Sequence, residues 1–309
     1  MEKQIIITGG LGFIGSHLLK KLIVDGYYVV VIDDCSNANV KILKSLPKLK
    51  FHLIKCDIRN KKKIEQELLK YKPKIIVHLA SIHYIPDCCK HPSKTVDINI
   101  KGTQTMLEIA SKINVKNFLF ASSASVYKPS VIPHKEDDSL EPIDIYGQSK
   151  KQAEKIIKLY CKSNNINFTT LRLFNVYGPN DLTPHLIPSL LLRLKKSKNI
   201  NVGNLKTSRD YIYVDDVVDI MVKILKNPNG FSNATYNIGT SNKTSGERLI
   251  KIIGNILDKK IIVKKNKNLT RKTDRKIMVA NIDCISDEYL WKPRYTIKKG
   301  IKQLLNNSF

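Results

Sequence analysis

The sequence is short of acidic residues, long apolar runs and regularly spaced cysteines. No stretch approaches the roughly 18 consecutive apolar residues of a membrane-spanning helix, so we expect no membrane span. The six cysteines show no repeated C-x-x-C spacing, which predicts free thiols in a reducing compartment and no metal site. The amino terminus enters a strand-length apolar run without the features of a signal peptide, which predicts a cytoplasmic protein.

The shortage of acidic residues leaves a large positive charge. Asp and Glu number 27 against 53 Lys and Arg, which gives a formal net charge of +26. Such a charge is compatible with binding to nucleic acid or to an anionic surface. The lysines are dispersed through every segment rather than gathered in one stripe. We therefore interpret the charge as a compositional bias and expect no nucleic-acid partner.

The first 175 residues alternate short β-branched runs with longer amphipathic stretches. Strands are predicted at 4–8, 28–33, 51–56, 74–80, 117–122 and 168–174, and helices near 13–25, 61–71, 93–113 and 145–164. This alternation predicts an α/β fold in which a doubly wound parallel sheet is covered by helices on both faces. We expect a first domain at 1–175 and a smaller C-terminal lobe at 176–309, with segments near 205–240 returning to the first domain.

A glycine pattern joins the first predicted strand to the first helix. The stretch "TGGLGFIGSHL" places Gly9, Gly12 and Gly15 as G-x-x-G-x-x-G. In this pattern the first glycine permits a tight turn, the second lets the backbone approach a pyrophosphate, and the third lets helix and strand pack closely. The helix would begin near Phe13 and Ile14 and direct its partial positive charge at the phosphates. The pattern predicts a Rossmann-type dinucleotide site.

An acidic residue follows the glycines by about twenty positions. Asp33 ends the second predicted strand, where a carboxylate can accept hydrogen bonds from an adenosine ribose. Its charge would repel a 2′-phosphate, so NAD is favoured over NADP. The alternative is that Asp33 and Asp34 form an ordinary turn at a strand end. Asp57 ends the third strand and is a candidate contact for the adenine.

Two tyrosines are followed four positions later by a lysine. Tyr146 and Lys150 come near the start of a helix, about twenty residues after "SSASVY" (122–127) leaves the carboxyl end of the fifth strand, where ligands bind in open α/β sheets. A lysine ammonium beside a tyrosine favours the phenolate, so we predict a lowered pKa for Tyr146. Tyr295 and Lys299 lie in the C-terminal tail without a glycine loop or strand end nearby, and we interpret them as a chance pair.

Further motifs occur in order along almost the whole chain. They include "HLA" (78–80), "DINIKGT" (97–103), "RLFNVYGP" (172–179), "RDYIYVDD" (209–216) and "YNIG" (236–239). Together with the glycine loop, "SSASVY" and "YGQSK", they resemble the extended short-chain dehydrogenase/reductases. Within these, they are most similar to the NAD-dependent nucleotide-sugar epimerase/dehydratase family.

The resemblance implies a role for each matching position. Tyr146 would be the general base, Lys150 would hold the nicotinamide ribose and the phenolate, and Ser123 would bind the reacting sugar hydroxyl. The implied cofactor-binding residues are Gly9, Gly12, Phe13, Ile14, Gly15, Asp33, Asp57, Ile58, Leu79, Ala80, Asn99, Tyr146 and Lys150. The implied substrate-binding residues are Ser123, Ser125, Asn175, Arg209 and Arg271. Arginine suits a diphosphate because its forked donors pair with phosphate in bidentate fashion.

One departure from the family pattern bears on the reaction. Dehydratases of the family carry an Asp-Glu pair where this chain has Ala124 and Ser125, and its decarboxylases usually carry a glutamate at the second position. The sequence therefore favours an epimerase that inverts C4 of a UDP-hexose through a 4-keto intermediate. Two alternatives stay open: a decarboxylase, dehydratase or ketosugar reductase on the same scaffold, and a non-catalytic NAD-binding protein that acts on nucleic acid. The resemblance also implies a homodimer formed through the helices near 93–113 and 145–164.

Overall fold

The computed structural model describes residues 3–38, 40–227, 231–266, 269 and 275–306. The first part of the chain forms β1 (Gln4–Thr8), α1 (Phe13–Val24), β2 (Tyr28–Asp33), β3 (Phe51–Lys55), α2 (Lys61–Leu68), β4 (Ile75–His78), α3 (Ile85–Lys90), α4 (Pro92–Val96), α5 (Gly102–Lys112), β5 (Asn117–Ser123), α6 (Ile145–Ser163) and β6 (Asn167–Leu173). The second part forms β7 (Asn175–Tyr177), α7 (Leu186–Lys196), β8 (Asn199–Val202), β9 (Ser208–Tyr213), α8 (Val214–Lys226), β10 (Ala234–Ile238), β11 (Lys243–Ser245), α9 (Gly246–Leu257), β12 (Ile262–Lys265), β13 (Ile277–Met278), α10 (Asp283–Tyr289) and α11 (Ile297–Asn306).

The chain divides into two compact units that each contain several segments. The first consists of Met1–Tyr127, Leu140–Arg172 and Val218–Tyr236, and the second of Lys128–Ser139, Leu173–Val217 and Asn237–Phe309. The chain therefore passes from one unit to the other more than once. Among the described residues, no helix is both long and apolar enough to cross a membrane.

A seven-stranded sheet forms the centre of the first unit. Its strand order is β10-β6-β5-β4-β1-β2-β3, and β1 to β5 pair in parallel. The order reverses between β1 and β4, which is the switch point where open α/β sheets bind ligands beyond the carboxyl ends of their strands. The doubly wound α/β fold predicted from the sequence is confirmed. β10, which overlaps "YNIG", pairs with β6 at the edge of the sheet.

The strands of this sheet are apolar on both faces because helices cover both. Ile5, Ile6 and Ile7 of β1 are all fully buried, as expected for a central parallel strand. On α6, Ala153 and Ile157 recur at helical spacing and pack into the same core cluster as Ile6. This packing of helices against the sheet holds the carboxyl ends of β1, β4 and β5 in fixed positions.

The predicted helical stretch near 93–113 is continuous in the structure but not uniform. It consists of α4, a single wide turn of π-helix at Asp97–Lys101, and α5. The sequence predicted the helical stretch but not its π-turn. π-turns often occur at functional sites, and this one carries the buried side chain of Asn99.

The second unit has smaller sheets and its own core. A four-stranded sheet contains β11, β9 and β13 in that order, with β7 also paired to β9, and β12 pairs with β8. The buried carboxylate of Asp210 on β9 accepts hydrogen bonds from the backbone of Thr240, Ser241 and Ala280. Burial raises the pKa of Asp210 to about 6 despite these bonds. Two separate segments of the chain, at 240–241 and at Ala280, are thus fixed to β9 beside Arg209.

Candidate active site

The glycine loop between β1 and α1 is closed by its own backbone. Gly9 has a φ of +66°, and a Cβ at Gly15 would lie 2.1 Å from the Gly9 carbonyl oxygen, so larger residues do not fit this loop. Gly12 is the N-cap of α1 without a side-chain cap, and the first turn of α1 contains no acidic residue. Neither an N-cap side chain nor an acidic residue of the first turn therefore competes for this helix terminus. The loop fits the pyrophosphate of a dinucleotide.

Asp33 is fixed beside the glycine loop. Its carboxylate oxygens accept hydrogen bonds from the backbone N–H of Leu11 at 2.9 Å and of Cys35 at 2.8 Å. Burial raises the pKa of Asp33, and these two hydrogen bonds oppose the rise. A carboxylate has about four acceptor positions, so two bonds leave capacity for ribose hydroxyls. The position and the chemistry fit the predicted ribose contact.

The predicted adenine contact already has a side-chain partner. Arg59 donates to Asp57 from Nε at 2.9 Å and from Nη2 at 2.7 Å, and this pairing holds the pKa of the carboxyl below its usual range. Next to it, Ile58 is buried and faces Gly102 of α5. The structure therefore presents Asp57 as half of a bidentate ion pair, and its contact with the adenine stays a prediction.

Residues after β4 lie directly against the end of β1. The N–H of Leu79 donates to the Thr8 carbonyl at 3.1 Å, and the N–H of Ala80 donates to the Thr8 hydroxyl at 3.2 Å. A Cβ on Gly9 would come within 2.8 Å of the Ala80 nitrogen. The structure therefore brings the predicted cofactor residues Gly9, Leu79 and Ala80 together.

Asn99 connects the loop after β4 to α6. Its side chain accepts from Ile82 N–H at 2.8 Å and donates to Ile82 O at 2.9 Å and to Ser149 Oγ at 3.0 Å. Ser149 in turn donates to the carbonyl of Tyr146 at 2.7 Å. These contacts hold the first turn of α6 in place, and the predicted contact of Asn99 with the cofactor stays a prediction.

The start of α6 places Tyr146 and Lys150 inside the first unit. Asp144 is the N-cap and accepts a hydrogen bond from Gly147 N–H at 2.8 Å. A Cβ at Gly147 would lie 2.3 Å from the Ser125 carbonyl oxygen, so glycine allows the helix to approach the loop after β5. Tyr146 and Lys150 are both buried.

The three predicted catalytic side chains converge at the end of β5. The hydroxyl of Ser123 forms a side-chain hydrogen bond with Tyr146. Lys150 Nζ donates to the carbonyl of Ala121 at 2.8 Å and lies 4.7 Å from the centre of the Phe120 ring. The structure therefore brings together Ser123, Tyr146 and Lys150 around the carboxyl end of one strand.

The predicted direction of the Tyr146 pKa is wrong. Burial raises the pKa of Tyr146 above its ordinary value, and the hydrogen bond from Ser123 opposes this rise only in part. Burial also lowers the pKa of Lys150 to about 7, while Glu154 and Cys88 oppose that shift. Both groups lose water when they are buried, and desolvation disfavours the charged form of each. The sequence prediction considered only the attraction between the two groups.

The second tyrosine-lysine pair has a different environment in the second unit. The ring of Tyr295 packs at 4.4 Å between centroids against Tyr213, and its N–H donates to Asp216 at 3.0 Å. Lys299 is exposed, with Nζ 4.7 Å from the Tyr295 ring centre. These contacts are typical of packing and not of an acid/base site.

The remaining predicted substrate-binding residues lie in different surroundings. Ser125 is buried in a single 3-10 turn at Ala124–Val126, and its N–H donates to Ser123 Oγ at 3.1 Å. Asn175 begins β7, and its buried Oδ1 has no hydrogen-bond partner among the described residues. Arg209 donates to the carbonyls of Ser208 and Arg275 at 2.9 and 2.8 Å. Arg271 lies outside the described residues. The unsatisfied Asn175 oxygen fits a polar ligand.

One buried histidine was not assigned a role from the sequence. His78 lies between the hydroxyls of Thr8, at 2.7 Å from Nδ1, and Thr103, at 2.9 Å from Nε2. Thr103 donates its proton to the Asn99 carbonyl and therefore accepts from Nε2–H, which fixes the tautomer. Burial lowers the pKa of His78 to about 3, so the ring is neutral. The motif "HLA" contains this histidine, but only the fold reveals both partners.

Two further buried charges, Glu154 and Arg172, were also missed. They form an ion pair of 2.9 Å between Oε2 and Nη2. Glu154 follows Lys150 by four residues, so the same spacing that identified the Tyr146 pair could have drawn attention to it. The sequence offers no comparable signal that Arg172 on β6 is its partner.

Comparisons with known proteins agree with the fold. A model of the NAD dependent epimerase/dehydratase family matches residues 5–239. The solved UDP-glucose 4-epimerase of Thermotoga maritima with UDP-glucose has a TM-score of 0.89 at 27% identity, and the match covers 98% of this chain and 97% of that one.

Curated relatives include both epimerases and dehydratases. The UDP-glucose 4-epimerase of Lactobacillus helveticus is 30% identical over 80% of this chain and 79% of its own length. The dTDP-D-glucose 4,6-dehydratase of Dictyostelium discoideum is 32% identical over 82% of this chain and 62% of its own length. Because the family model spans the glycine loop, the Tyr146 site and the returning strand, the chain belongs to the NAD dependent epimerase/dehydratase family, and its cofactor is NAD.

Proposed function

We propose that the protein is a nucleotide-sugar epimerase that inverts C4 of a UDP-hexose through a transient 4-keto sugar. The observation that carries this proposal is the convergence of Ser123, Tyr146 and Lys150 at the carboxyl end of β5, in the unit that also contains the glycine loop. Relatives that are UDP-glucose 4-epimerases support the substrate class.

The residues of the chain have separate tasks in this reaction. Ser123 would hold the sugar hydroxyl, and Tyr146 would take its proton, which requires the phenolate form. Burial opposes that form, and the hydrogen bond from Ser123 favours it, as would a protonated Lys150 one helical turn away. The glycine loop and Asp33 would hold NAD, whose nicotinamide would supply a reversible hydride acceptor for the sugar carbon. The same Tyr146 would then give the proton back to the inverted hydroxyl.

The remaining proposed contacts retain the substrate. Asn175, Arg209 and Arg271 would bind the nucleotide diphosphate, which does not react. Binding energy from such a remote group can hold an intermediate while the sugar turns over. The orphaned Oδ1 of Asn175 gives this assignment its physical support.

A dehydratase is the second candidate, favoured by the similarity to a dTDP-D-glucose 4,6-dehydratase. The buried turn after β5 argues against it, since Ala124 and Ser125 offer a methyl group and a hydroxyl where elimination of water needs an acid and a base. The family match argues against the third alternative, a non-catalytic protein acting on nucleic acid.

The reaction type can be tested in deuterium oxide. In a direct hydride mechanism the carbon-bound hydrogen leaves and returns without mixing with solvent. We expect product formed from a UDP-hexose in deuterated buffer to show inverted C4 and a full-intensity H4 signal by proton NMR. Dehydration and decarboxylation pass through species that take a proton from water. Stoichiometric deuterium at C4 or C5 would contradict C4 epimerisation and favour the second candidate.

A further inference from the structure

A buried ion pair lies one helical turn beyond Lys150. Glu154 follows Lys150 by four residues on α6, which places both side chains on the same face. Arg172 on β6 donates to Glu154 from Nε at 3.1 Å and from Nη2 at 2.9 Å. The two side chains are only 10% and 6% exposed. A charged pair buried this deeply is costly unless each member is held by further contacts.

Those further contacts lead directly to the catalytic strand. Lys150 donates to the carbonyl of Ala121, and the hydroxyl of Ser122 donates to Glu154. Ala121 and Ser122 are consecutive residues of β5, and Ser123 comes next. Lys150 and Glu154 are therefore attached side by side to the strand that presents the reacting serine.

Arg172 is held on its other side by an aromatic ring. Its Nη1 donates to the hydroxyl of Tyr127 at 2.9 Å, and its guanidinium carbon lies 4.8 Å from the centre of that ring. Tyr127 follows the turn that contains Ser125. The guanidinium is thus fixed from two directions, and it fixes the carboxylate of Glu154 in turn.

The groups around Lys150 supply little other negative charge. On α6, Tyr146 lies one turn before it. Cys88 on α3 and His78 on β4 also interact with Lys150 electrostatically. Burial raises the pKa of Cys88 to about 11, raises that of Tyr146 and lowers that of His78, so all three are neutral near pH 7.

On β5, Lys150 contacts a backbone carbonyl and the ring of Phe120. Neither of these groups carries a net charge. Among these described neighbours, Glu154 is the group that carries a full negative charge. A buried ammonium loses much of its favourable interaction with water. The protonated form of Lys150 therefore depends on the carboxylate of Glu154.

We propose that Glu154 is a positioning residue that keeps a substantial fraction of Lys150 in its ammonium form near neutral pH, with Arg172 fixing the carboxylate in place. The inference rests on the proposed role of Lys150 in the reaction. A protonated Lys150 is what Tyr146 needs in order to lose its proton. The ion pair would therefore act on catalysis without touching the substrate.

The charge of Lys150 can be measured without any ligand. Protein labelled with ¹³C at the lysine Cε atoms is titrated by NMR, and the Lys150 signal is identified by its loss in Lys150→Arg. The pKa of Lys150 is about 7, well below the roughly 10.4 of ordinary lysines. In Glu154→Gln we expect its midpoint to fall by about one pH unit or more, because a nearby opposite charge is removed.

Two variants serve as controls for the titration. Glu154→Asp keeps the charge and should recover most of the wild-type midpoint. Glu108→Gln removes a surface carboxylate that pairs with Lys61 at 2.8 Å, and it should leave the midpoint unchanged. A Glu154→Gln midpoint equal to that of the wild type overturns the proposal.

A variant that loses its fold would not leave the question open. If circular dichroism shows that Glu154→Gln is unfolded, a double variant, Glu154→Gln/Arg172→Met, is measured instead. It removes both members of the ion pair, so that the Arg172 guanidinium is not left buried without its carboxylate. Its Lys150 midpoint is expected below that of the wild type. An unchanged midpoint in the double variant would equally overturn the proposal.

The pH profile of kcat/KM separates an electrostatic role from a structural one. If Lys150 must be protonated, the alkaline limb should move to lower pH in Glu154→Gln by the shift seen in the titration. A purely structural defect would lower activity at every pH and leave the limb in place, which contradicts the inference. If Lys150→Met retains full turnover, the proposed role of Lys150 fails, whereas the NMR titration still judges the effect of Glu154.

Discussion

The two tyrosine-lysine pairs have the same spacing but different physical surroundings. Tyr146 and Lys150 are buried, and the lysine donates to the Ala121 carbonyl near the carboxyl end of β5. Tyr295 is half-buried, and the exposed Lys299 lies over the ring of its own tyrosine partner. A spacing of four residues brings two side chains together wherever it occurs. Burial and a hydroxyl from a neighbouring strand turn one of these pairs into a candidate for proton transfer.

The largest expected effect separates the two tyrosines. Tyr146→Phe should lower kcat by roughly 10² or more, the contribution of a lost general base. Tyr295→Phe should leave kcat near the wild-type value because its ring packs against Tyr213 and its hydroxyl bonds to Asp215, away from the predicted catalytic residues. Steady-state kinetics with a UDP-hexose measure both, and circular dichroism with NAD titration checks that each variant folds and binds. Similar activities of the two variants would remove the distinction between the pairs.

A smaller effect tests the cofactor site, which lies in the same unit as the Tyr146 pair. Wild-type protein should bind NAD at least tenfold more tightly than NADP, about 1.4 kcal/mol, because Asp33 repels a 2′-phosphate. Asp33→Asn should reduce this preference. Asp34→Asn changes a neighbouring carboxylate that bonds to Ser36 and should preserve it. Titration calorimetry measures the affinities of all three proteins for both cofactors, and equal binding of NAD and NADP to the wild type would defeat the ribose assignment.

The smallest effect concerns stability, and it contrasts the two lysines. The pKa of Lys150 is about 7 in the folded protein against 10.5 for an ordinary lysine, so between these values the unfolded chain binds more protons. The free energy of unfolding should therefore rise with pH in this window, by about 1 kcal/mol between pH 7 and pH 8. This contribution is complete above the unfolded pKa and is lost as the pH falls through 7.

Urea unfolding at both pH values detects the stability effect. Lys150→Met should lack the rise that the wild type shows, after the common contribution of all other groups is subtracted. Lys299→Met, at an exposed position, should follow the wild type. If the free energy of unfolding changes equally with pH in Lys150→Met and in the wild type, the burial of Lys150 does not make stability depend on pH.

Local signals in the sequence were sufficient for the fold and for part of the site. The alternation of β-branched runs with amphipathic stretches predicted the parallel sheet, and the glycines predicted the tight turn before α1. Each of these features depends on neighbouring residues or on a regular period. The Tyr146 and Lys150 pair was found in the same way, from a one-turn spacing next to a strand end.

Features that depend on distant parts of the chain were not predicted. The π-turn at Asp97–Lys101 holds Asn99 against Ile82 and Ser149, and no local period indicates such a contact. The partnership of Glu154 with Arg172 joins a helix to a strand. The pKa of Tyr146 was predicted in the wrong direction because desolvation depends on everything packed around the phenol. Burial is a property of the whole fold and cannot be read from one motif.

The place of β10 in the sheet limits how this chain can be divided or exchanged by recombination. β10 pairs with β6 at the sheet edge, although it follows β7, β8 and β9 in the chain. A fragment that ended after β6 would present an unpaired strand edge, which promotes pairing between molecules and aggregation. The part of the chain after β6 therefore cannot be replaced as a whole without removing a strand of the central sheet. A new specificity would have to arise by changes within the intact chain or by insertions in its loops.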